Sequence, residues 1–265
     1  NPQSTAMITD DGAVSYSKLN AWVEHAARTL APMLPASRAV VAVNLAQLPL
    51  HWIALLALAR LGHVSVSIGK DDLPANSNAS LILTDQAEHA GQPSYLLLTP
   101  EWWEAVRTAP AQRPLPERAG WDDPARIMLT SGTTGQPRRV LLTHRMLMRR
   151  FQSDMAFYGI SASSRYYMVM KPGSLAGFVA PMETWMAGGS IVFSTRPPLI
   201  QELVQLDITA IGMATGQLAS MIRNLPADFA PRPDLKVVVG GSLLTKTLAD
   251  EAAARLTPNI LVAYG

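Results

Sequence analysis

The residues Ala125–His144, ARIMLTSGTTGQPRRVLLTH, consist of two apolar runs separated by a loop sequence. The runs, RIMLT and RVLLT, have the length and the branched side chains that are typical of β-strands. The loop sequence between them starts with the seven residues Ser131–Pro137, which include two glycines, three hydroxyl side chains and a proline, and Arg138 follows. Because glycine allows turns that are closed to other residues, successive N–H groups of such a loop can converge on an anion. The stretch therefore predicts a phosphate-binding loop between two strands.

The residues that follow the loop support this interpretation. Arg138 brings a permanent positive charge, and its planar guanidinium suits phosphate oxygens. Two familiar phosphate loops are excluded, since the chain has neither GxxxxGK[ST] nor GxGxxG at this place. The alternative is a plain glycine- and threonine-rich connection between strands, followed by a helix cap. A nucleotide-binding loop of another class is the stronger hypothesis.

Arginines cluster after the loop, within thirteen positions: Arg138, Arg139, Arg145, Arg149 and Arg150. Aromatic residues do not alternate with them, as they would in a groove for single-stranded nucleic acid. Two interpretations stay open, a solvated helix face and a local attraction for a small polyanion. The formal net charge of only +2 predicts no nucleic-acid partner.

The composition is that of a globular protein, with 48% hydrophobic and 16% charged residues in a chain of 265. Cysteine is absent, which excludes disulfides, thiolate metal ligands and a cysteine nucleophile. Polar residues interrupt the most apolar region, 40–61, so a membrane span is not predicted. The first residues show no secretory signal pattern, and a cytoplasmic location is expected.

Short β-branched runs alternate with helical patterns along most of the chain. This alternation predicts an α/β fold with mainly parallel sheets covered by helices. Residues 109–124 are rich in proline and charge and lack an apolar period, which favours a linker. The predicted organisation is a first α/β lobe at 1–108, this linker, and a second lobe at 125–265.

TSGTTGQPRRVLLTH resembles the phosphate-loop motif of the adenylate-forming superfamily, which includes acyl-CoA synthetases, peptide-synthetase adenylation domains and luciferases. The resemblance extends over nearly the whole chain. TAMITDDGAVSYSKLNAWVEHAARTL is similar to the family's opening segment, and VVVGGSLLTKTLADEAAARL with NILVAYG is similar to its adenine-binding region. The resemblance implies the large N-terminal domain of such an enzyme, incomplete at its C-terminal end and without the small C-terminal domain.

The resemblance also implies a two-step ligase. A substrate carboxylate attacks the α-phosphate of ATP, pyrophosphate leaves, and the acyl-adenylate passes to CoA or to the phosphopantetheine thiol of a carrier protein. One anion attacks another, so the enzyme's task is positioning and charge compensation by N–H groups, cations and Mg²⁺. The implied cofactors are ATP and Mg²⁺, and no metal-ligating residue is assigned.

The site residues carried over from the family fall into two groups. Those expected to hold the β- and γ-phosphates are Thr130, Ser131, Gly132, Thr133, Thr134, Gly135 and the catalytic cation Arg138. Those expected around the adenine are Gly240, Gly241 and Ser242 on one side and Tyr264, followed by Gly265, on the other. The alternatives are a simple strand end for the two glycines and a core position for the tyrosine.

The sequence departs from the family's pattern at two places. The family has Lys-Gly where Arg138 and Arg139 stand, which keeps the first charge but replaces a small residue by a bulky one. The family's Thr-Glu after Tyr264-Gly265, with a glutamate that helps hold Mg²⁺, lies beyond the last residue, as does the catalytic lysine of the small domain. We expect residues 1–265 alone to be inactive. A degenerate homologue that binds nucleotide or acyl ligand without turnover is the alternative.

One comparison with the family narrows the class of the acid substrate. Adenylation domains for α-amino acids carry an aspartate that pairs with the amine, and the matching region here, MKPGSLAGFVAPMETW, has none. An acyl or aryl acid is therefore favoured. Phe178 and Met182 are candidates for an apolar pocket or for the core, and Lys171 for the carboxylate or for the surface. His144 is expected to cap or pack, and Asp122 and Asp123 to open a turn.

Overall fold

The computed structural model describes residues 1–69, 77–110, 115, 119–130, 138–193 and 199–263. They form two compact units. The first contains residues 1–4, 14–152 and 172–175, and the second contains residues 5–13, 153–171 and 176–265. The compact units are bounded differently from the two lobes expected from the sequence, because the strand that starts at Pro124 pairs within the first unit.

Strands and helices alternate as the sequence predicts. The described strands are β1 Thr5–Thr9, β2 Gly12–Ser15, β3 Val40–Asn44, β4 Val64–Ser67, β5 Leu81–Thr84, β6 Tyr95–Leu97, β7 Pro124–Thr130, β8 Arg138–Thr143, β9 Arg165–Tyr167, β10 Ser190–Val192, β11 Ala210–Ala214, β12 Lys236–Gly240 and β13 Ile260–Val262. The described α-helices are α1 Tyr16–Leu30, α2 Leu48–Arg60, α3 Pro100–Thr108, α4 His144–Tyr158, α5 Leu175–Met186, α6 Leu199–Gln205, α7 Thr215–Arg223 and α8 Lys246–Arg255.

The sheet of the first unit has the order β6-β5-β3-β4-β7-β8. Its strands run parallel except for the last pair, in which β8 is antiparallel to β7. The inner strands are buried on both faces, which explains their continuous apolar sequence. Ala42, Val66 and Ile127 belong to the core between strands and helices.

Local signals place the helices of the first unit. The Ser15 side chain accepts a hydrogen bond from the N–H of Lys18 at the start of α1, and Thr99 does the same for Trp102 in α3. Pro49 stands in the first turn of α2, as its fixed φ favours, and Gly62 follows that helix with a φ of 76°. These caps confirm the helix starts predicted from the sequence.

The sheet of the second unit has the order β13-β12-β11-β9-β10-β1-β2. From β13 to β1 the neighbours are parallel, and helices α6, α7 and α8 connect or follow its strands. Its core includes Ile211, Val237 and Leu203, each fully buried. Strands β1 and β2 were not predicted from the sequence. Within the described residues, no helix is both long and apolar enough to cross a bilayer.

Candidate functional site

The ends of the predicted phosphate loop are held side by side in the first unit. In the antiparallel β7–β8 pair, Thr130 stands opposite Arg138, and Leu129 stands opposite Arg139. The Thr130 hydroxyl donates to the carbonyl of Arg138 at 3.4 Å. Both residues are exposed. The structure thus brings together the two outermost members of the predicted phosphate group, and it does so by strand pairing.

The other loop candidates, Ser131, Gly132, Thr133, Thr134 and Gly135, lie outside the described residues. Their assignment stays a prediction from the sequence. What the structure adds is the frame: residues 131–137 join two paired strand ends, and strand β7 itself pairs with β4 inside the sheet.

The segment around the start of α4 braces the far end of the β7–β8 pair. Arg145 donates to both carboxylate oxygens of Asp122, at 2.7 and 2.8 Å, and Asp123 pairs with Arg38 at 2.6 Å. Asp123 also accepts from the N–H of Gly120, which closes the predicted turn. The hydrogen bonds from Arg145 hold the pKa of the Asp122 carboxyl below its usual range. Arg145 therefore has a structural role at this end.

His144 opens α4 and is half-buried. The hydroxyl of Thr143 accepts from the N–H of Met146, so Thr143 is the N-cap that the sequence predicts. Burial lowers the pKa of His144, and the negative charge of Asp123 opposes that effect. The N–H of His144 donates to the carbonyl of Asp123 at 3.2 Å. These contacts agree with the packing role expected for this histidine.

The adenine-side candidates meet at the carboxyl edge of the second sheet. Ala214 of β11 stands beside Gly240 of β12, and Val239 stands beside Val262 of β13. Parallel strands end at the same edge of their sheet, and ligands of α/β proteins bind at that edge. The residue that follows β13, Ala263, donates its N–H to the carbonyl of Val239 at 2.8 Å.

The two glycines have distinct structural reasons. A Cβ on Gly240 would lie 3.2 Å from the carbonyl oxygen of Ala263, so Gly240 keeps the neighbouring strand end close. Gly241 has a φ of 84°, where side chains are strained, and a Cβ there would meet nothing within 4 Å. Gly241 therefore turns the chain so that the exposed Ser242 leaves the edge of the sheet.

Thr215 is a further candidate at this edge that was not predicted from the sequence. It is the first residue of α7, and its hydroxyl donates to the carbonyl of Ser242 at 3.0 Å. Gln217 completes this end of the helix, because its side-chain oxygen accepts from the N–H of Ala214 at 2.8 Å. A polar residue directly after a strand and at a helix start was the available signal. Tyr264 and Gly265 lie outside the described residues and stay predictions.

The remaining candidates differ in their exposure. Phe178 is buried, Met182 is half-buried and Lys171 is exposed. A cavity of about 510 Å³ lies in the second unit between α6, α7 and β11, and its lining includes Met213 and Met221. Phe178 and Met182 do not line this cavity. Gly240, Gly241 and Ser242 do not line it either, but Gln217, which accepts from the N–H of Ala214 at the sheet edge, does.

Side chains that could bind a metal ion lie apart from one another in the described part of the chain. Among the residues that the structure describes, His, Asp and Glu side chains do not gather in a group of three or more that could hold a cation. The described part of the chain thus provides no metal cage of its own.

The fold and the strand-end loops define an α/β protein whose glycine-containing turns follow parallel strands, an arrangement used for nucleotides. A model of the AMP-binding enzyme family matches residues 1–265. The chain belongs to this adenylate-forming family. The fold expected from the sequence is confirmed.

Relatives and solved structures agree with this assignment. A linear gramicidin synthase of Brevibacillus parabrevis is 36% identical over 134 residues, which are 47% of this chain and 2% of that protein. ATP-bound MatB from Rhodopseudomonas palustris has a TM-score of 0.86 at 20% identity, covering 100% of this chain and 57% of that one. The N-terminal subdomain of Klebsiella oxytoca NpsA, in complex with 3-hydroxyanthranilyl-AMSN, has a TM-score of 0.81 at 20% identity, covering 100% and 69%. The chain therefore spans only part of the proteins that it matches.

Proposed function

We propose that this protein activates a carboxylic acid with ATP. The acid becomes an acyl-adenylate with release of pyrophosphate, and the acyl group then passes to the thiol of CoA or of a phosphopantetheinyl carrier protein in the cytoplasm. The observation that carries the proposal is the pairing of Thr130 with Arg138 at the ends of the family's phosphate motif. Membership of the AMP-binding family supports it.

The proposed binding mode divides the nucleotide between the two groups of residues. Backbone N–H groups of residues 131–135, the Thr130 hydroxyl and the Arg138 guanidinium would hold the β- and γ-phosphates. Gly240, Gly241 and Ser242 would line the adenine, with Tyr264 stacked against it and Gly265 following. The hydrogen bond from Thr215 to Ser242 supports a fixed adenine loop.

Magnesium has a defined place in this proposal. Mg²⁺ prefers a few carboxylates together with phosphate oxygens and water, so it would arrive bound to the triphosphate. When bound, it would compensate the charge that builds up on the leaving pyrophosphate. The chain's own contribution, from the described residues, is the permanent charge of Arg138.

We favour an acyl or aryl acid over an α-amino acid. The region 170–185 contains no aspartate that could pair with an ammonium group. Klebsiella NpsA, one of the similar structures, was solved with a 3-hydroxyanthranilyl group. Because the chain is similar to a gramicidin synthase, amino acids have to be tested beside acyl and aryl acids as substrates.

Pyrophosphate exchange on the full-length protein tests the proposal. We expect exchange of labelled pyrophosphate into ATP that depends on one or more aryl or fatty acids in a panel that also contains the amino acids. The second candidate is a homologue that binds nucleotide without turnover, which the bulky Arg139 in place of the family's glycine favours. Measurable ATP binding without exchange for any acid would support that candidate and refute ours.

Arg138→Ala tests the proposed phosphate contact. Losing a charge-assisted contact should raise the Kd for ATP about tenfold, whereas the Kd for AMP should change less than about twofold. Arg139→Ala is the matched control, because neighbouring residues of a strand point to opposite faces. Isothermal titration gives both constants. Equal losses for ATP and AMP would place Arg138 away from the outer phosphates.

A further inference from the structure

Arg126 lies inside the first unit, where a permanent charge is unexpected. It belongs to β7 and is 1% exposed. Its guanidinium donates to the hydroxyls of Ser65 at 3.2 Å and Ser67 at 2.8 Å, to the carbonyl of Pro172 at 2.7 Å, and to the sulfur of Met128 at 3.3 Å. These four acceptors are uncharged. Ser65 and Ser67 lie on β4, Met128 lies on β7 itself, and Pro172 lies in a third part of the chain.

The hydrogen bonds continue beyond the arginine in one direction. The Ser67 hydroxyl accepts from Arg126, so its single proton is available for His51 Nε2, 2.8 Å away. The Nδ1–H of His51 then donates to the carbonyl of Leu45 at 3.3 Å. This order requires a neutral imidazole. Burial and the charge of Arg126 lower the pKa of His51 to about 3, in agreement with that requirement.

A buried arginine is expensive for the fold. Burial lowers the pKa of Arg126 to about 9, which still leaves it charged at neutral pH. Replacing buried charged groups with apolar residues of similar volume is often neutral or stabilising. If this position only had to fill space in the core, a methionine would stabilise the fold as well. The arginine offers what methionine lacks, a set of directed donors that can fix several segments at once.

The segments that Arg126 joins lead to two parts of the proposed site. Strand β7 continues from Arg126 to Thr130, where the phosphate motif begins. Pro172 starts the short segment 172–175, which belongs to the first unit and runs into α5. This segment also lies close to β4, since a Cβ on Gly173 would be 3.4 Å from the carbonyl oxygen of Ser67. Residues 172–175 lie within the stretch MKPGSLAGFVAPMETW, where the resemblance to the family implies the acid.

We propose that Arg126 is a positioning residue for the acid substrate: its bond to the Pro172 carbonyl fixes the segment 172–175 on the strand that carries the phosphate motif. The proposal rests on the proposed function, because the segment has to line the acid site. Arg126 is buried and touches neither ATP nor acid. It acts by setting where the acid-side segment begins.

Kinetics of the full-length protein test this role. Arg126→Met should raise the KM for the acid about tenfold or more, the loss expected for a hydrogen bond from a charged donor. The kcat and the KM for ATP should change less than about threefold, because β7 keeps its strand pairs. Ser65→Ala is the matched control, since it removes one acceptor of Arg126 and leaves the bond to Pro172. We expect its acid KM to stay within about twofold.

Hydrogen–deuterium exchange supplies a readout that needs no turnover. Arg126→Met should increase deuterium uptake in peptides covering 172–175, and Ser65→Ala should not. If none of the acids tested supports pyrophosphate exchange by the unsubstituted protein, the proposed function fails. The deuterium uptake of residues 172–175 still shows whether Arg126 fixes this segment. Equal effects of the two variants on acid KM or on uptake would overturn the proposal. So would an ATP KM that rises as much as the acid KM.

Discussion

Low pH should destabilise the first unit through the protonation of His51. The imidazole is buried at the start of α2, and it accepts from Ser67 and donates to the carbonyl of Leu45. Burial and the charge of Arg126 lower its pKa from 6.5 to about 3. The folded chain therefore holds His51 neutral over a range of pH in which the unfolded chain protonates it.

The sign and size of the effect follow from proton linkage. Because the unfolded state binds the extra proton, the stabilisation is complete above the unfolded pKa and is lost as the pH falls towards the folded pKa. Each pH unit within this window costs about 1.4 kcal/mol. Between about pH 7.5 and about pH 5, the free energy of unfolding should fall by about 2 kcal/mol from His51 alone.

Urea unfolding at the two pH values measures this loss. Five of the six tryptophans, all except Trp185, belong to the first unit, so tryptophan fluorescence reports mainly on that unit. His51→Gln keeps a polar side chain that does not titrate in this range. We expect this variant to be less stable near neutral pH but to lose about 2 kcal/mol less than the unsubstituted protein on acidification.

Ser67→Ala provides the control for this comparison. It removes the partner of His51 Nε2 but leaves the burial and the charge of Arg126, the two causes that lower the histidine's pKa. Its stability should be lower at both pH values, with the slope against pH unchanged. If His51→Gln has the same slope as the unsubstituted protein, His51 is not held neutral and the hydrogen-bond order through Ser67 is wrong.

Two further predictions concern glycines of the second unit. Gly212→Ala would place a Cβ 2.5 Å from the hydroxyl of Tyr166 and should lower the free energy of unfolding in urea by about 1 to 3 kcal/mol. Adding Tyr166→Phe removes the hydroxyl, leaves the nearest ring carbon at 3.6 Å and should restore most of that stability. A double variant no more stable than the single one would contradict the clash. Gly241→Ala should cost about 1 kcal/mol through its positive φ alone, whereas Gly216→Ala, which also faces open space, should be neutral or stabilising; similar effects of both would refute the backbone argument.

The fold could be predicted where local signals are strong. The run KVVVG, with three β-branched residues in succession, predicts a strand, and the helix α8 that follows it begins at a Thr245 cap. Strand β1 was not predicted because one of its neighbours in the sheet, β10, is distant in sequence, and β2 lies at the sheet edge beside β1. Met7 pairs with Ile191, far along the chain, and nothing in the local sequence TAMIT indicates that pairing.

The candidate site divides in the same way. Thr130 and Arg138 were predicted as site residues because the phosphate motif places them at the two ends of one loop, and the structure shows that strand pairing brings these ends together. Arg126 could not be found in this way. A single arginine in the strand PARIMLT suggests an edge position, and its acceptors Ser65 and Pro172 are far apart in sequence. Only the folded sheet shows that they meet.

The geometry of β7 explains why replacing Arg126 should weaken the binding of the acid substrate more than the binding of ATP. At about 3.3 Å per residue, Thr130 stands about 13 Å from Arg126 along the strand. Over that distance β7 is held by its register with β4, in which Ser65 stands opposite Arg126, and by its pairing with β8. These backbone bonds do not depend on the arginine side chain, so the phosphate end keeps its frame. The carbonyl of Pro172, in contrast, is held by the guanidinium itself, and its segment loses that hold when the side chain is removed. A selective loss of acid affinity is therefore the signature that distinguishes an anchor from a general loss of packing.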